Sequence, residues 1–173
     1  MTRLDSAIRR LTAQRELLDW ATGEIDDTGL VLEVGLGNGR TYDHLRDRLP
    51  GRRIYVFERT PAAHPACTPP DEFLVVGDIC DTLPDFAQRF GSRSAALIHV
   101  DIGTGNEDLN RLLALRLSPL IETLLQPGGL LLADRALVMP NCTDVSSQTG
   151  VSKGRYFVYR REPERAEAAA TVP

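Results

Sequence analysis

Three acids and three glycines in this chain have the types and spacing to hold a nucleotide. Glu33 stands two residues before Gly35, and Gly37 and Gly39 follow at alternate positions in Leu30-Val-Leu-Glu-Val-Gly-Leu-Gly-Asn-Gly-Arg40. Glycines at a strand-to-helix turn let the backbone bend sharply and let a ligand approach the main chain with no Cβ in the way. Glu58 lies 19 residues beyond Gly39 at the end of a second apolar run, where a carboxylate can take both hydroxyls of a ribose. Asp78 follows Gly77 at the end of a third run, and His99 and Asp101 close a fourth. Asp134 ends a fifth. Asp101, His99 and Asp134 are the candidate general bases, needed only if an acceptor must lose a proton.

These positions imply alternating strands and helices. Strands are predicted at 30–35, 53–58, 73–77, 95–100 and 129–134, and helices at 39–48, 80–90 and 106–125. Near-continuous apolar strands alternating with helices predict an α/β fold, doubly wound, with a mostly parallel sheet of about six or seven strands and helices on both faces. The alternating segment 155–160, Arg-Tyr-Phe-Val-Tyr-Arg, is expected to close the sheet as an antiparallel last strand. A charged, amphipathic N-terminal helix is expected over 3–25, with Leu4, Ile8, Leu11, Leu18, Ala21 and Ile25 at roughly helical spacing. Residues 60–71 contain Pro61, Pro65, Pro69 and Pro70 and are expected to form a loop. The whole of 1–173 is expected to be one domain, with 1–27 a helical extension and 162–173 a flexible tail with little to bury.

Composition narrows the classes. Of 173 residues, 42% are hydrophobic and 25% charged, as in a folded globular protein. A net charge of −4 argues against a nucleic-acid partner, which wants a basic surface. No apolar run approaches the ~20 residues that span a bilayer, and the N-terminus lacks signal-peptide character, so a cytoplasmic protein without a membrane partner is expected. Cys67, Cys80 and Cys142 are scattered, with no metal-ligand spacing. Arg9, Arg10 and Arg15 read as a solvated helix face.

The glycine spacing bears on which nucleotide is bound. A dinucleotide fingerprint wants a small residue at its sixth position, where Gly-Leu-Gly-Asn-Gly-Arg puts Arg40. Glu33 is poorly placed for a pyrophosphate and suits a cationic methionyl amine and sulfonium. An NAD(P)-dependent oxidoreductase, with Arg59 available to a 2′-phosphate, remains the alternative, as does a non-catalytic binding module.

The ordered set resembles the class I S-adenosylmethionine-dependent methyltransferases over roughly residues 28–161. Leu32-Glu33-Val34-Gly35-Leu36-Gly37-Asn38-Gly39 is similar to their first motif, Glu58 to the ribose-binding acid, Gly77-Asp78-Ile79 to the adenine-contacting turn, and Gln126-Pro127-Gly128-Gly129 to the turn before the fifth strand. The resemblance implies S-adenosyl-L-methionine as cofactor. It implies that Gly35, Gly37, Asn38 and Gly39 line the methionine end, Glu58 the ribose, Asp78 the adenine amine and Ile79 the adenine face, and Glu33, Arg59 and Asp101 are expected among the cofactor-binding residues as well. The Asn/Asp-Pro-Pro-aromatic motif of DNA and protein amino-methyltransferases is replaced by Asp101-Ile-Gly-Thr-Gly-Asn106. Asp101 and Asp134 also resemble two carboxylates of magnesium-dependent O-methyltransferases, but Arg135 stands where those enzymes carry an Asn ligand, and no metal is expected. A small-molecule acceptor is expected, with a homo-oligomer completing the pocket as a further expectation.

Overall fold

The computed structural model describes residues 2–103, 105–151 and 155–163. The expected tail from 164 onward and Thr104 lie outside the described residues. The chain runs α1 (Arg3–Glu24), β1 (Leu30–Val34), α2 (Arg40–Arg48), β2 (Ile54–Glu58), β3 (Leu74–Val76), α3 (Ile79–Phe90), β4 (Ala95–Val100), α4 (Glu107–Leu124), β5 (Leu125–Ala133), β6 (Cys142–Asp144) and β7 (Phe157–Arg161). Two short 3-10 turns, Pro65–Cys67 and Asp71–Phe73, occupy the proline-rich loop.

The helices start where the sequence can satisfy their first N–H groups. Thr2 and Asp5 form a reciprocal capping box on α1, Asp78 caps α3 through Cys80 N at 2.9 Å, and Asn106 caps α4 through Asp108 N and Leu109 N, each at 3.1 Å. Gly39 opens α2 at φ 75°.

The seven strands form one sheet in the order β3-β2-β1-β4-β5-β7-β6. β1 to β5 pair in parallel, and β7 pairs antiparallel with both β5 and β6. Strand order reverses between β1 and β4, and in open α/β sheets the ligand crevice opens there, beyond the strands' carboxyl ends. One face of the sheet packs Leu32, Val34, Phe57, Ile98 and Leu131 against Leu83 and Phe86 of α3 and Leu117 and Ile121 of α4. The other packs Val31, Val56, Leu97 and Leu132 against Leu17, Leu18 and Ala21 of α1 and Leu45 of α2.

Three details differ from the sequence expectation. β5 begins at Leu125 rather than 129, with Pro127-Gly128-Gly129 interrupting its register. Ala95 of β4 pairs with Leu125, and Leu97 already pairs with Leu130. β6 is an additional edge strand, at residues where no strand is predicted from the sequence. Its three residues Cys-Thr-Asp carry no alternating apolar signal, because its formation depends on β7 as a partner. The amphipathic stripe of α1 is buried only from Gln14 onward, while Leu4 and Ile8 are 68% and 53% exposed. The first half of α1 therefore stands clear of the core.

Candidate active site

The glycine turn opens where β1 ends. Gly35, Gly37 and Gly39 all take positive φ, at 99°, 50° and 75°, a region that costs a side-chain-bearing residue roughly 1–2 kcal/mol. Their surroundings differ. A Cβ on Gly35 would sit 2.5 Å from the carbonyl oxygen of Asp101, so this glycine lets the ends of β1 and β4 touch. A Cβ on Gly39 would collide with the carbonyl and side chain of Cys67 in the proline-rich loop. A Cβ on Gly37 would meet nothing within 4 Å. Gly37 and the exposed Asn38 are the part of the turn open to a ligand.

Glu58 ties the end of β2 to this turn. Its Oε2 accepts from Leu36 N at 3.0 Å and Gly37 N at 3.2 Å, and its Oε1 accepts from Thr60 N at 3.0 Å. Partial burial pushes its carboxyl up, but the N–H groups of Thr60, Gly37, Leu36 and Arg59 together outweigh burial and hold it below the usual value. An ionised carboxylate has about four acceptor positions, and the hydrogen bonds from Leu36, Gly37 and Thr60 occupy three of them. Arg59 is exposed beside it. Asp78 is exposed, with Oδ1 on the α3 cap, and Ile79 next to it is half-buried.

Asp101, just past β4, meets α1. Its Oδ2 accepts from Gln14 Nε2 at 2.8 Å, and Arg10 NH1 lies 3.9 Å from the same oxygen. Tyr156 is buried in this neighbourhood. Burial and the Asp101 charge push its phenol up, against the opposing effect of Arg10. A cavity of about 240 Å³ lies between α1 and the turn, lined by Arg10, Gln14, Gly35, Gly37, Thr41 and Asp101 among others.

Glu33 and His99 are brought to each other rather than to this cavity. They pair across β1 and β4 in register, and both are 0% exposed. His99 Nδ1 donates to Glu33 Oε2 at 2.8 Å, and Thr41 Oγ1 donates to Glu33 Oε1. Burial disfavours the His99 cation, but the Glu33 charge and hydrogen bond, aided by Asp101 and Asp134, win and raise its pKa. His99 Nε2 is buried with no hydrogen-bond partner among the described residues. Glu33, expected at the methionyl amine, and His99, a candidate base, are thus each other's hydrogen-bond partners and are both fully buried. Both stand one layer behind the turn, Glu33 holding α2 through Thr41.

Asp134, past the end of β5, is neutralised by its neighbour. Arg135 Nε donates to Oδ1 at 3.0 Å and NH2 to Oδ2 at 2.7 Å. This hydrogen bonding raises the Arg135 pKa against partial burial. Gly103 sits against the pair, since a Cβ there would lie 2.8 Å from Arg135 NH2. Among the described residues no group of three His, Cys, Asp or Glu side chains is placed to hold a metal ion.

Gln14, Thr41 and Tyr156 carry no site role in the sequence reading, and Arg10 reads there as part of a solvated helix face. One signal was there: Gln14 falls at i−4 and i−7 from Leu18 and Ala21, a polar residue on the buried stripe of α1. Arg10 has no such mark, because a surface arginine and a site arginine look alike in a helical pattern.

Residues 1–161 match the protein family described as S-adenosyl-L-methionine methyltransferase. The chain belongs to that family. An S-adenosyl-L-methionine methyl transferase from Silicibacter pomeroyi DSS-3 has a similar structure, with TM-score 0.85 and 43% identity over 93% of this chain and 99% of that one. The N-methyltransferase NodS from Bradyrhizobium japonicum WM9 (TM-score 0.56, 18% identity, 94% of this chain and 98% of that one) shares the fold. So does TrmN from Thermus thermophilus (TM-score 0.58, 18% identity, 86% of this chain and 48% of that one). No curated protein matches the sequence. The methyltransferase thus takes S-adenosyl-L-methionine as its methyl donor, and the nicotinamide and non-catalytic alternatives give way to an enzyme of this class. Among its described residues no helix is long and apolar enough to cross a membrane.

Proposed function

We propose that the methyltransferase moves a methyl group to a small-molecule acceptor, with the donor lying along the carboxyl ends of β1, β2 and β3. The observation that carries this reading is the cavity between α1 and the glycine turn, where Arg10, Gln14 and Asp101 converge on Gly35 and Gly37. A methionyl group carries one ammonium and one carboxylate, and the cavity offers one carboxylate, Asp101, and the guanidinium of Arg10. Asp101 then takes the ammonium and Arg10 the carboxylate. Glu58 has one acceptor position left for a ribose hydroxyl, and Asp78 and Ile79 stand where the adenine amine and ring would lie. The open side of Gly37 suits close approach to the main chain.

When bound, S-adenosyl-L-methionine supplies an electrophilic methyl on a sulfonium. In-line transfer from such a centre needs alignment more than acid–base chemistry, and positioning alone can contribute several kcal/mol. The residues support that division of labour. Asp101 is held by Gln14, Asp134 is held by Arg135, and His99 is buried, so the site is built for orientation rather than for deprotonation. The first half of α1 narrows the entrance, and the net charge of −4 disfavours a polyanionic acceptor.

Titration calorimetry with S-adenosylhomocysteine tests the donor placement: Asp101→Asn and Arg10→Met should each weaken binding about tenfold. Wild-type affinity in both variants would overturn it. Transfer of labelled methyl in a cell extract tests the acceptor class. Label in the low-mass fraction supports the proposal, and label confined to RNA or protein overturns it.

A further inference from the structure

α4 turns an apolar stripe to solvent. Leu109, Leu112 and Leu115 are 56%, 59% and 55% exposed, on the side of the helix opposite the buried Ala114, Leu117, Ile121 and Leu124. Val138, 59% exposed in the loop after β5, lies beside Leu115 across a shared cavity of about 350 Å³. An amphipathic surface helix ordinarily gives this face to charged and polar residues, and a contiguous apolar patch on a surface marks an interaction site.

The order of residues on the stripe identifies the occupant. Taken outward from Leu112, the stripe reads the same in both directions apart from charge: Leu109 and Leu115 lie three residues to either side, and Asp108 and Arg116 four residues to either side. Asp108 and Arg116 are both exposed. We infer that α4 docks against α4 of a second copy of this chain, antiparallel about a two-fold axis through Leu112. In that arrangement Leu112 meets its own counterpart, Leu109 meets Leu115 of the second copy, and Asp108 meets Arg116 of the second copy twice over. Such self-complementarity is what an isologous two-fold interface requires. Antiparallel packing also sets the two helix dipoles in opposite directions, which is favourable. Leu109 of the second copy then stands at the mouth of the cavity lined by Arg111, Leu115, Arg135 and Val138, next to the end of β5. In the first half of α1, Arg3 and Arg9 lie three residues to either side of the midpoint between the exposed Leu4 and Ile8, so a two-fold axis there would oppose like charges.

Sedimentation velocity on the full chain tests this interface. The wild type should sediment as a dimer at micromolar concentration, and Leu112→Glu, which sets like charges against each other on the axis, should give a monomer. Asp108→Arg and Arg116→Asp alone should each raise the dimer dissociation constant roughly tenfold, since each creates two repulsive contacts. The double reversal, Asp108→Arg with Arg116→Asp, should restore wild-type affinity, because the pairing is regenerated with signs exchanged. Unaltered S-adenosylhomocysteine binding by Leu112→Glu serves as the check on folding. A monomeric wild type overturns the inference, as does a dimer that dissociates on Leu4→Glu or Ile8→Glu but not on Leu112→Glu. Failure of the double reversal to recover overturns the antiparallel register.

Discussion

His99 Nδ1 lies 2.8 Å from Glu33 Oε2, and neither side chain has any exposed surface. The pair spans the two strands at which the sheet order reverses, directly beneath the glycine turn. Taking two charges out of water is costly, and removing one partner leaves the other uncompensated, a loss of about 3–5 kcal/mol. His99→Leu is therefore expected to lower Tm by roughly 6–20 °C, using roughly 2–4 °C per kcal/mol for a chain of this size. Glu33→Met with His99→Leu, which removes both charges, should recover much of that loss. A thermal melt followed by circular dichroism checks it, and a single variant melting with the wild type would contradict the buried ion pair.

The same pair gives stability a direction in pH. The folded-state pKa of His99 is raised above its ordinary 6.5, so the folded chain holds this proton more tightly than the unfolded one. The contribution is fully present below about pH 6.5 and is lost as pH rises through the folded value. Wild-type Tm should fall between neutral and alkaline pH more steeply than that of Glu33→Gln, in which the partner charge is gone. Glu58 acts at the other end of the scale. Its folded pKa is lowered from 4.5, so its contribution is present above that value and lost as pH falls through the folded one. Parallel Tm profiles for wild type and Glu33→Gln would contradict the assignment to His99.

Glu58→Ala should weaken S-adenosylhomocysteine binding by an order of magnitude or more, since a hydrogen bond to a charged group is worth roughly 1.5–3 kcal/mol. The variant should also melt earlier, because Leu36 N, Gly37 N and Thr60 N all lose their acceptor. Calorimetry and melting must move together. A stability loss with unchanged affinity would leave Glu58 as a strut for the turn and remove it from the ribose.

The parts legible in the sequence were those fixed by local chemistry. The turn at Gly35 to Gly39 and the acid Glu58 announce themselves through glycine placement and strand length. Asp78 was readable both as a helix cap and as a site residue, and the cap is what its Oδ1 provides. What stayed hidden depends on contacts distant in sequence. Gln14 and Asp101 are 87 positions apart, and only the packing of α1 over the rim joins them. Glu33 and His99, 66 positions apart, were each visible as polar residues in apolar strands. Their partnership needed the β1–β4 register, which sets them opposite each other. β6 was unreadable because a three-residue edge strand has no pattern of its own.

The three glycines should separate by experiment as they separate by geometry. Gly37→Ala places a methyl in open space at φ 50°, so it should cost only the roughly 1–2 kcal/mol of a left-handed residue while lowering affinity for S-adenosylhomocysteine. Gly35→Ala adds a clash with the Asp101 carbonyl at 2.5 Å, and Gly39→Ala a clash with the Cys67 backbone, so both should destabilise more. Denaturant melts rank the stabilities, and calorimetry ranks the affinities. Equal stability loss at all three positions would show that the proline-rich loop and the end of β4 yield freely to the new side chain.

Asp134 offers a test of whether divalent cations take part. Both of its oxygens are engaged by Arg135, at 3.0 and 2.7 Å, and the guanidinium charge lies where a cation would have to approach. Mn²⁺ should therefore fail to bind the wild type at millimolar concentration, as read by water-proton relaxation, and EDTA should leave S-adenosylhomocysteine affinity unchanged. Arg135→Asn removes the competing cation and supplies an amide oxygen beside a freed carboxylate, a donor set suited to hard divalent ions. That variant should gain Mn²⁺ binding. Binding by the wild type that Asp134→Asn abolishes would mean that the ion pair opens readily, and that a metal displaces Arg135 in the working enzyme.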